Sequence, residues 1–218
     1  GIITPPISVA SAVEGLRAYK PELNTIPIVI GILFVLFAIQ QFGTKFIGKF
    51  FGPMMLLWFG MFGVLGVTQM MSDFSVLKAL NPYYAIHLLS IHHEGFYVLG
   101  AVFLCTTGAE ALYSDMGHCG RNNIRISWIF VKSTLVLNYI GQGAFLIANE
   151  GKTLIELSGD AANPGNPFYL IMSDWFLPIG IAIATTAAVI ASQALISGSF
   201  TLISEAMRLN FWPKVLVK

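Results

Sequence analysis

The sequence predicts an all-α polytopic membrane protein, and three observations support this class. Hydrophobic residues make up 56% of the 218 residues and charged residues only 11%, whereas average globular domains contain roughly 25% charged residues. A soluble domain of this length would keep a large wetted surface, which this composition cannot supply. Six apolar runs approach the roughly 20 residues that cross a bilayer as a helix, and a spanning helix satisfies its own backbone.

Charge and cysteine content exclude other classes. The net charge of +1 gives no basic field for a nucleic-acid partner. The apolar composition instead predicts a lipid bilayer as the environment. Cys105 and Cys119 lie in or near apolar runs and predict no disulfide framework. The chain opens with Gly1 inside an apolar segment, without a signal-peptide pattern before it. We therefore expect an internal piece of a longer polypeptide.

The first three predicted helices are apolar runs that cover residues 1–16, 27–43 and 52–71. The first contains Pro5 and Pro6 near its start. The second is apolar almost throughout. The third carries Gly60, Gly63 and Gly66, a stripe of small residues that favours close helix packing.

The last three predicted helices cover residues 96–114, 126–148 and 174–199. The fourth is predicted to be interrupted, because Gly108 lowers helix propensity in its polar stretch. In the fifth, Asn138 and Gln142 share a face and can bond to a neighbouring helix, and we interpret them as packing residues. The sixth carries Ser192 and Gln193, which we interpret as packing residues.

The charged connecting segments predict the orientation of these helices. Segments 40–51, 115–125 and 200–218 carry most of the lysine and arginine residues, which places them in the cytoplasm. The outer segment 72–95 is predicted to form short interfacial helices over residues 76–80 and 85–91. The other long outer segment, 149–173, contains a loop signal from Asn163 to Pro167.

Glu110 is the most informative polar residue, because ionisable groups inside a membrane are costly. It shares a helix face with Thr106 and Tyr113. A helix break beside Gly108 would release carbonyls toward a cavity, as transporters do for cations. The alternative is a protonated glutamic acid bonded to a neighbouring helix. Glu14, near the outer end of the first helix, fits a solvated or capping role.

The first helix offers a second set of oxygen atoms. Thr4 and Ser8 are spaced to face the same way, and Pro5 and Pro6 remove backbone donors and free carbonyls of the preceding turn. Hydroxyls and carbonyls are hard ligands that suit a hard cation. The alternative is a small-residue packing stripe through Ser8 and Ser11.

Motifs for metal-dependent or other enzyme chemistry are lacking. Asp115, His118 and Cys119 lie close together in sequence, but glycines break the segment and no HExxH or paired CxxC pattern is present. We predict no metal site of this kind, no cofactor and no enzyme activity.

Five motifs, in this order along the chain, resemble the KUP/HAK/KT potassium transporters. They are GIITPPISVASAVEGL at 1–16, TGAEALYSDMGH at 107–118, LNYIGQGA at 137–144, NPFY at 166–169 and IASQALISG at 190–198. The resemblance covers essentially the whole chain. It implies a LeuT-like fold of the APC superfamily with inverted repeats, in which the six helices here are the third to the eighth.

The resemblance also implies K⁺ uptake across the cell membrane by H⁺ symport. A midplane site of hydroxyls, carbonyls and carboxylates would bind the cation through Thr4, Ser8 and Thr107. Glu110 would serve proton coupling or site architecture, with Tyr113, Asn138 and Gln142 as supporting residues. The family favours a homodimer. The alternatives are an organic-solute (amino-acid) carrier of the same fold and a non-transporting scaffold.

Overall fold

The computed structural model describes residues 3–20, 22–40, 48–91, 94–105, 120–159 and 165–213. Within these ranges the regular structure is entirely helical. In chain order, the α-helices are α1 Thr4–Tyr19, α2 Ile26–Gln40, α3 Gly48–Met70, α4 Pro82–Ile91, α5 Gly95–Cys105, α6 Arg121–Ala148, α7 Leu154–Ser158, α8 Pro167–Leu170 and α9 Leu177–Arg208. A 3-10 helix, Phe74–Leu80, precedes α4.

Among the described residues, three helices are long and apolar enough to cross a membrane: Lys49–Met70 in α3, all of α6 and all of α9. A shorter apolar stretch, Ile26–Ala38, forms most of α2. For the described part of the chain, the prediction of an all-helical protein with apolar, membrane-length helices is therefore confirmed. The six membrane spans and the LeuT-like arrangement stay predictions.

Two helix boundaries differ clearly from the sequence prediction. We expected the fifth helix to begin at residue 126, but α6 begins at Arg121. We expected the sixth to end at residue 199, but α9 continues to Arg208. Both extensions contain charged residues. A hydropathy pattern records only the apolar part of a helix, so it omits turns that carry such residues.

The outer segment 149–173 contains two short helices that we did not predict. Thr153 and Glu156 form a reciprocal capping box at the start of α7. Asn166 accepts a hydrogen bond from the Phe168 N–H at 3.0 Å, and Pro167 begins α8. Both signals are present in the sequence, since a Thr-x-x-Glu pattern and an Asn-Pro pair are typical of helix starts.

Helices α3 and α6 pack in parallel through small residues. A Cβ atom added to Gly66 would lie 2.4 Å from the Leu137 carbonyl oxygen, and one added to Gly141 would lie 2.7 Å from the Gly66 Cα. Gly63 lies beside Thr134, whereas Gly60 has open space around it among the described residues. The predicted stripe therefore serves this contact through Gly63 and Gly66.

Helices α1 and α9 run antiparallel and form the second main contact. The Ser192 hydroxyl donates to the Pro5 carbonyl oxygen at 3.5 Å. Nearer the other end, Ala12 of α1 belongs to a buried apolar cluster with Ile181 and Ala184 of α9. Met61 of α3 joins this cluster, so α3 packs against the α1–α9 pair.

Candidate functional site

A cavity of about 600 Å³ lies among α1, α3, α6, α8 and α9. Aromatic residues, alanines and other apolar side chains form much of its wall. The polar groups lie on α1, on α6 and around α8, and are those of Ser8, Ser11, Asn138, Tyr139, Gln142, Asn166 and Tyr169. Among the described residues none of the groups that line it carries a formal charge.

The start of α1 determines which of its side chains can line the cavity. Pro5 and Pro6 lie in its first turn, where a missing N–H breaks no intrahelical hydrogen bond. The helix therefore runs unbroken past both prolines, and Ser8 lies half-buried at the cavity. Thr4 is exposed and does not line the cavity. The structure thus places Ser8, but not Thr4, in the candidate site.

The α6 wall carries a pair of side-chain amides. Gln142 Nε2 donates a hydrogen bond to Asn138 Oδ1, four residues earlier on the same helix. We expected these side chains to be able to bond across helices, but the bond that forms lies within α6. Asn138 is only 1% exposed, and its Nδ2 has no hydrogen-bond partner among the described residues.

The short helix α8 covers one side of the cavity. The Tyr169 hydroxyl donates to the Ala12 carbonyl oxygen at 2.8 Å, and Phe168 packs edge-on against Trp58 and Phe62 with ring centroids 5.6 and 5.4 Å apart. Burial, with a smaller effect from Glu14, raises the pKa of Tyr169 above its ordinary value. We did not predict a role for Tyr169, although the NPFY motif contains it.

Three predicted site residues, Thr107, Glu110 and Tyr113, lie outside the described residues. The same holds for Asp115, His118 and Cys119. In the ranges that the structure does describe, no group of three or more His, Cys, Asp or Glu side chains is arranged to hold a metal ion. Glu14 is exposed, as its predicted solvated role requires.

The chemistry of the cavity follows from its neutral polar groups. Hydroxyl and amide oxygens can replace the hydration shell of a monovalent cation without trapping it by full charges. The described part of the wall offers no paired acid and base. The arrangement fits binding and passage of a small polar species better than it fits covalent chemistry.

Comparison with known proteins identifies the family. The family model described as the K⁺ potassium transporter integral membrane domain matches residues 1–218. Similar proteins include the probable potassium transport system proteins Kup of Flavobacterium psychrophilum and Flavobacterium johnsoniae, each 72% identical over the whole chain. The corresponding protein of Cytophaga hutchinsonii is 60% identical, also over the whole chain. No solved structure matches.

The chain spans about a third of the length of these relatives, 33% in each case. The matched region is nevertheless continuous and includes every motif on which the sequence resemblance rested. The relatives are named as transport proteins rather than enzymes. The chain therefore belongs to the Kup family of potassium transporters.

Proposed function

We propose that the full-length protein that carries this sequence takes up K⁺ across the cell membrane by H⁺ symport. Family membership and the names of the relatives support potassium as the substrate. The structural observation that carries the proposal is the cavity among α1, α6 and α9, with the oxygen-bearing side chains of Ser8, Asn138 and Gln142 in its wall. This cavity would form part of the cation pathway.

Among the described residues, the helices that line the cavity present side-chain groups rather than backbone N–H groups. A carrier for amino acids of this fold would present backbone N–H groups at a helix break to the substrate carboxylate. Helices α1, α6 and α9 are continuous where they line the cavity. Their backbone N–H groups are therefore used within the helices, and side-chain groups supply the polar contacts.

The proposed cation site also includes Thr4 and Thr107, as the family resemblance implies. Glu110 would exchange a proton in each transport cycle or hold the site in shape. The sequence pattern predicts Glu110 within a membrane helix, where an ionisable group is costly and is therefore a candidate for function, which supports this assignment. Tyr113 shares the helix face of Glu110 in the sequence pattern and would support it.

Rubidium uptake tests the proposal, because Rb⁺ replaces K⁺ in many potassium sites and is easily counted. The full-length protein and its Glu110→Gln variant would be produced in bacteria that lack their own potassium uptake. We expect wild-type uptake to be stronger at mildly acidic than at alkaline pH, and the variant to lose this difference.

The amount of each protein in the membrane serves as the control for this experiment. A correctly inserted wild-type protein that moves no Rb⁺ at either pH would contradict the potassium proposal. Unchanged acid stimulation in Glu110→Gln would contradict the role of Glu110 while leaving potassium transport in place.

A further inference from the structure

Three cations and a tryptophan form a stripe along the first half of α6. Arg121, Arg125, Trp128 and Lys132 follow one another at intervals of four, three and four residues. Because an α-helix has about 3.6 residues per turn, these intervals place all four side chains in one narrow sector of the helix surface. We call this set the basic stripe. All four residues are exposed in the structure.

The basic stripe lies on the side of α6 that faces away from α3. The buried face of α6 consists of Thr134, Asn138, Gly141 and Ala144, and it packs against α3 through Thr134 and Gly141. At about 3.6 residues per turn, this face is roughly half a turn from the stripe. The sequence of α6 contains no acidic residue, and among the described residues no carboxylate forms a salt bridge with the stripe. Its positive charge is therefore not neutralised within this part of the chain.

The length of α6 places the basic stripe near one edge of the bilayer. A helix needs about 20 residues to cross the hydrocarbon core, whereas α6 has 28. The additional turns belong to the amino-terminal end, because this end carries Arg121 and Arg125 and the last two turns of α6 carry no charge. The charge pattern of the sequence predicts that this end faces the cytoplasm. Lys132 lies about 10 Å farther along the helix axis than Arg125.

The Lys132 side chain bends back toward the same edge. Its Nζ atom lies 4.8 Å from the centroid of the Trp128 ring, one turn nearer the start of α6. Lysine side chains inside a bilayer extend toward the interface in this way, and tryptophan favours the same depth. The ring covers one side of the ammonium group, so N–H donors on the other side are available to an anion.

We propose that the basic stripe binds the phosphate headgroup of an anionic phospholipid in the cytoplasmic leaflet. The phosphate would lie between Arg125 and Lys132, since guanidinium and ammonium groups both bind phosphate oxygens. Its acyl chains would lie along Ile129 and Val136, which are exposed beside the stripe. Charge complementarity favours an anionic lipid over a zwitterionic one, whose own cation would be repelled. The site is separate from the cation cavity and does not depend on which ion is transported.

Trp128 serves as the reporter for the test, because it lies within the stripe. The purified full-length transporter is placed in mixtures of phosphatidylglycerol and phosphatidylcholine, with bromine on the acyl chains of one lipid at a time. Bromine quenches tryptophan fluorescence on contact. Subtracting the signal of the corresponding Trp128→Phe variant isolates Trp128, and the two mixtures together give the ratio of the binding constants of the two lipids at this site.

We expect phosphatidylglycerol to bind at least about tenfold more tightly than phosphatidylcholine beside Trp128 in wild type. Arg125→Gln and Lys132→Gln should each lower this ratio about fivefold, which is the effect of one cation near an anionic membrane surface. Lys132→Arg keeps the charge and should keep the ratio. Raising the salt concentration from about 0.1 M to about 1 M should lower the wild-type ratio, because it shortens the range of charge interactions.

Arg208→Gln is the matched control. Arg208 is also an exposed arginine at a helix end on the predicted cytoplasmic side, but it is paired with Glu205 at 3.2 Å. Its replacement changes the charge by the same amount and should leave the ratio at the Trp128 site unchanged.

Three results would overturn the proposal. A ratio near one in wild type would show contact with lipid but no selection of the headgroup. A wild-type ratio in both Arg125→Gln and Lys132→Gln would show that the stripe does not provide the selection. Absence of quenching by either lipid would show that another part of the full-length protein covers the stripe, since this chain spans only 33% of its relatives.

Discussion

The Tyr169 hydroxyl donates a hydrogen bond to the Ala12 carbonyl oxygen at 2.8 Å, which joins α8 to α1 beside the cavity. The tyrosine ring fits there because Gly15 has no side chain. A Cβ on Gly15 would lie 2.6 Å from the ring carbon that bears the hydroxyl. One glycine and one tyrosine thus determine how closely the outer segment approaches the helix that carries Ser8.

Replacing Tyr169 with phenylalanine tests this bond directly. The variant keeps the ring but loses the hydroxyl donor, and we expect its free energy of unfolding to fall by about 1 kcal/mol. The measurement is the melting temperature of the purified full-length protein. Tyr97→Phe is the control, since Tyr97 is 79% exposed. An equal melting temperature for both variants would show that the bond contributes nothing.

The same hydroxyl predicts a dependence of stability on pH. Burial raises the pKa of Tyr169 above its ordinary value of 10.0, so the unfolded chain loses this proton before the folded protein does. The contribution of the group to stability is therefore complete well below pH 10 and declines as the pH rises through 10 toward the raised pKa of the folded state. Between about pH 9 and about pH 11, wild type should lose stability more steeply than Tyr169→Phe. Parallel curves would contradict the burial of this hydroxyl.

Gly15→Ala should displace α8 from α1. Its new methyl group overlaps the Tyr169 ring, and overpacking of this kind costs about 1 to 3 kcal/mol. Gly31→Ala on α2 is the matched control, because its methyl group would meet nothing within 4 Å. It should be neutral or raise stability by up to about 1 kcal/mol through helix propensity. The measurement is the melting temperature of each variant. Equal melting temperatures for Gly15→Ala and Gly31→Ala would contradict the close contact between Gly15 and the Tyr169 ring.

Gly66→Ala should separate α3 from α6. The methyl group would meet the backbone of Leu137 at 2.4 Å, and backbone atoms of a packed helix cannot rotate away as a side chain can. We expect a loss of at least about 2 kcal/mol, together with weaker Rb⁺ uptake, because Asn138 lies at the same contact. Gly60→Ala, on the same helix in open space, should be tolerated. Equal thermal stability of the two variants would refute the close approach.

Hydropathy predicted the long helices because apolar length dominates the pattern. The run 27–43 corresponds to α2, Ile26–Gln40, within a few residues. The short helices α7 and α8 were missed, although Thr153, Glu156, Asn166 and Pro167 provide local starting signals. A helix of four or five residues has too short an apolar pattern to stand out from a loop.

The site was harder to predict, because the inward face of each helix depends on its neighbours. Thr4 and Ser8 share a face by their spacing, yet Thr4, at the first position of α1, is exposed. Asn138 and Gln142 were expected to be able to bond to another helix, and they bond to each other. The role of α8 depends on contacts with Ala12, more than 150 residues away in sequence.

Rb⁺ uptake by Ser8→Ala tests most directly whether the cavity belongs to the cation pathway. Ser8 lines the cavity, whereas Ser133 is exposed on α6 and its hydroxyl donates to the Ile129 carbonyl oxygen at 2.7 Å. With equal amounts of full-length protein in the membrane, Ser8→Ala should raise the KM for Rb⁺ severalfold, and Ser133→Ala should match wild type. A wild-type KM in Ser8→Ala would contradict the assignment of this cavity.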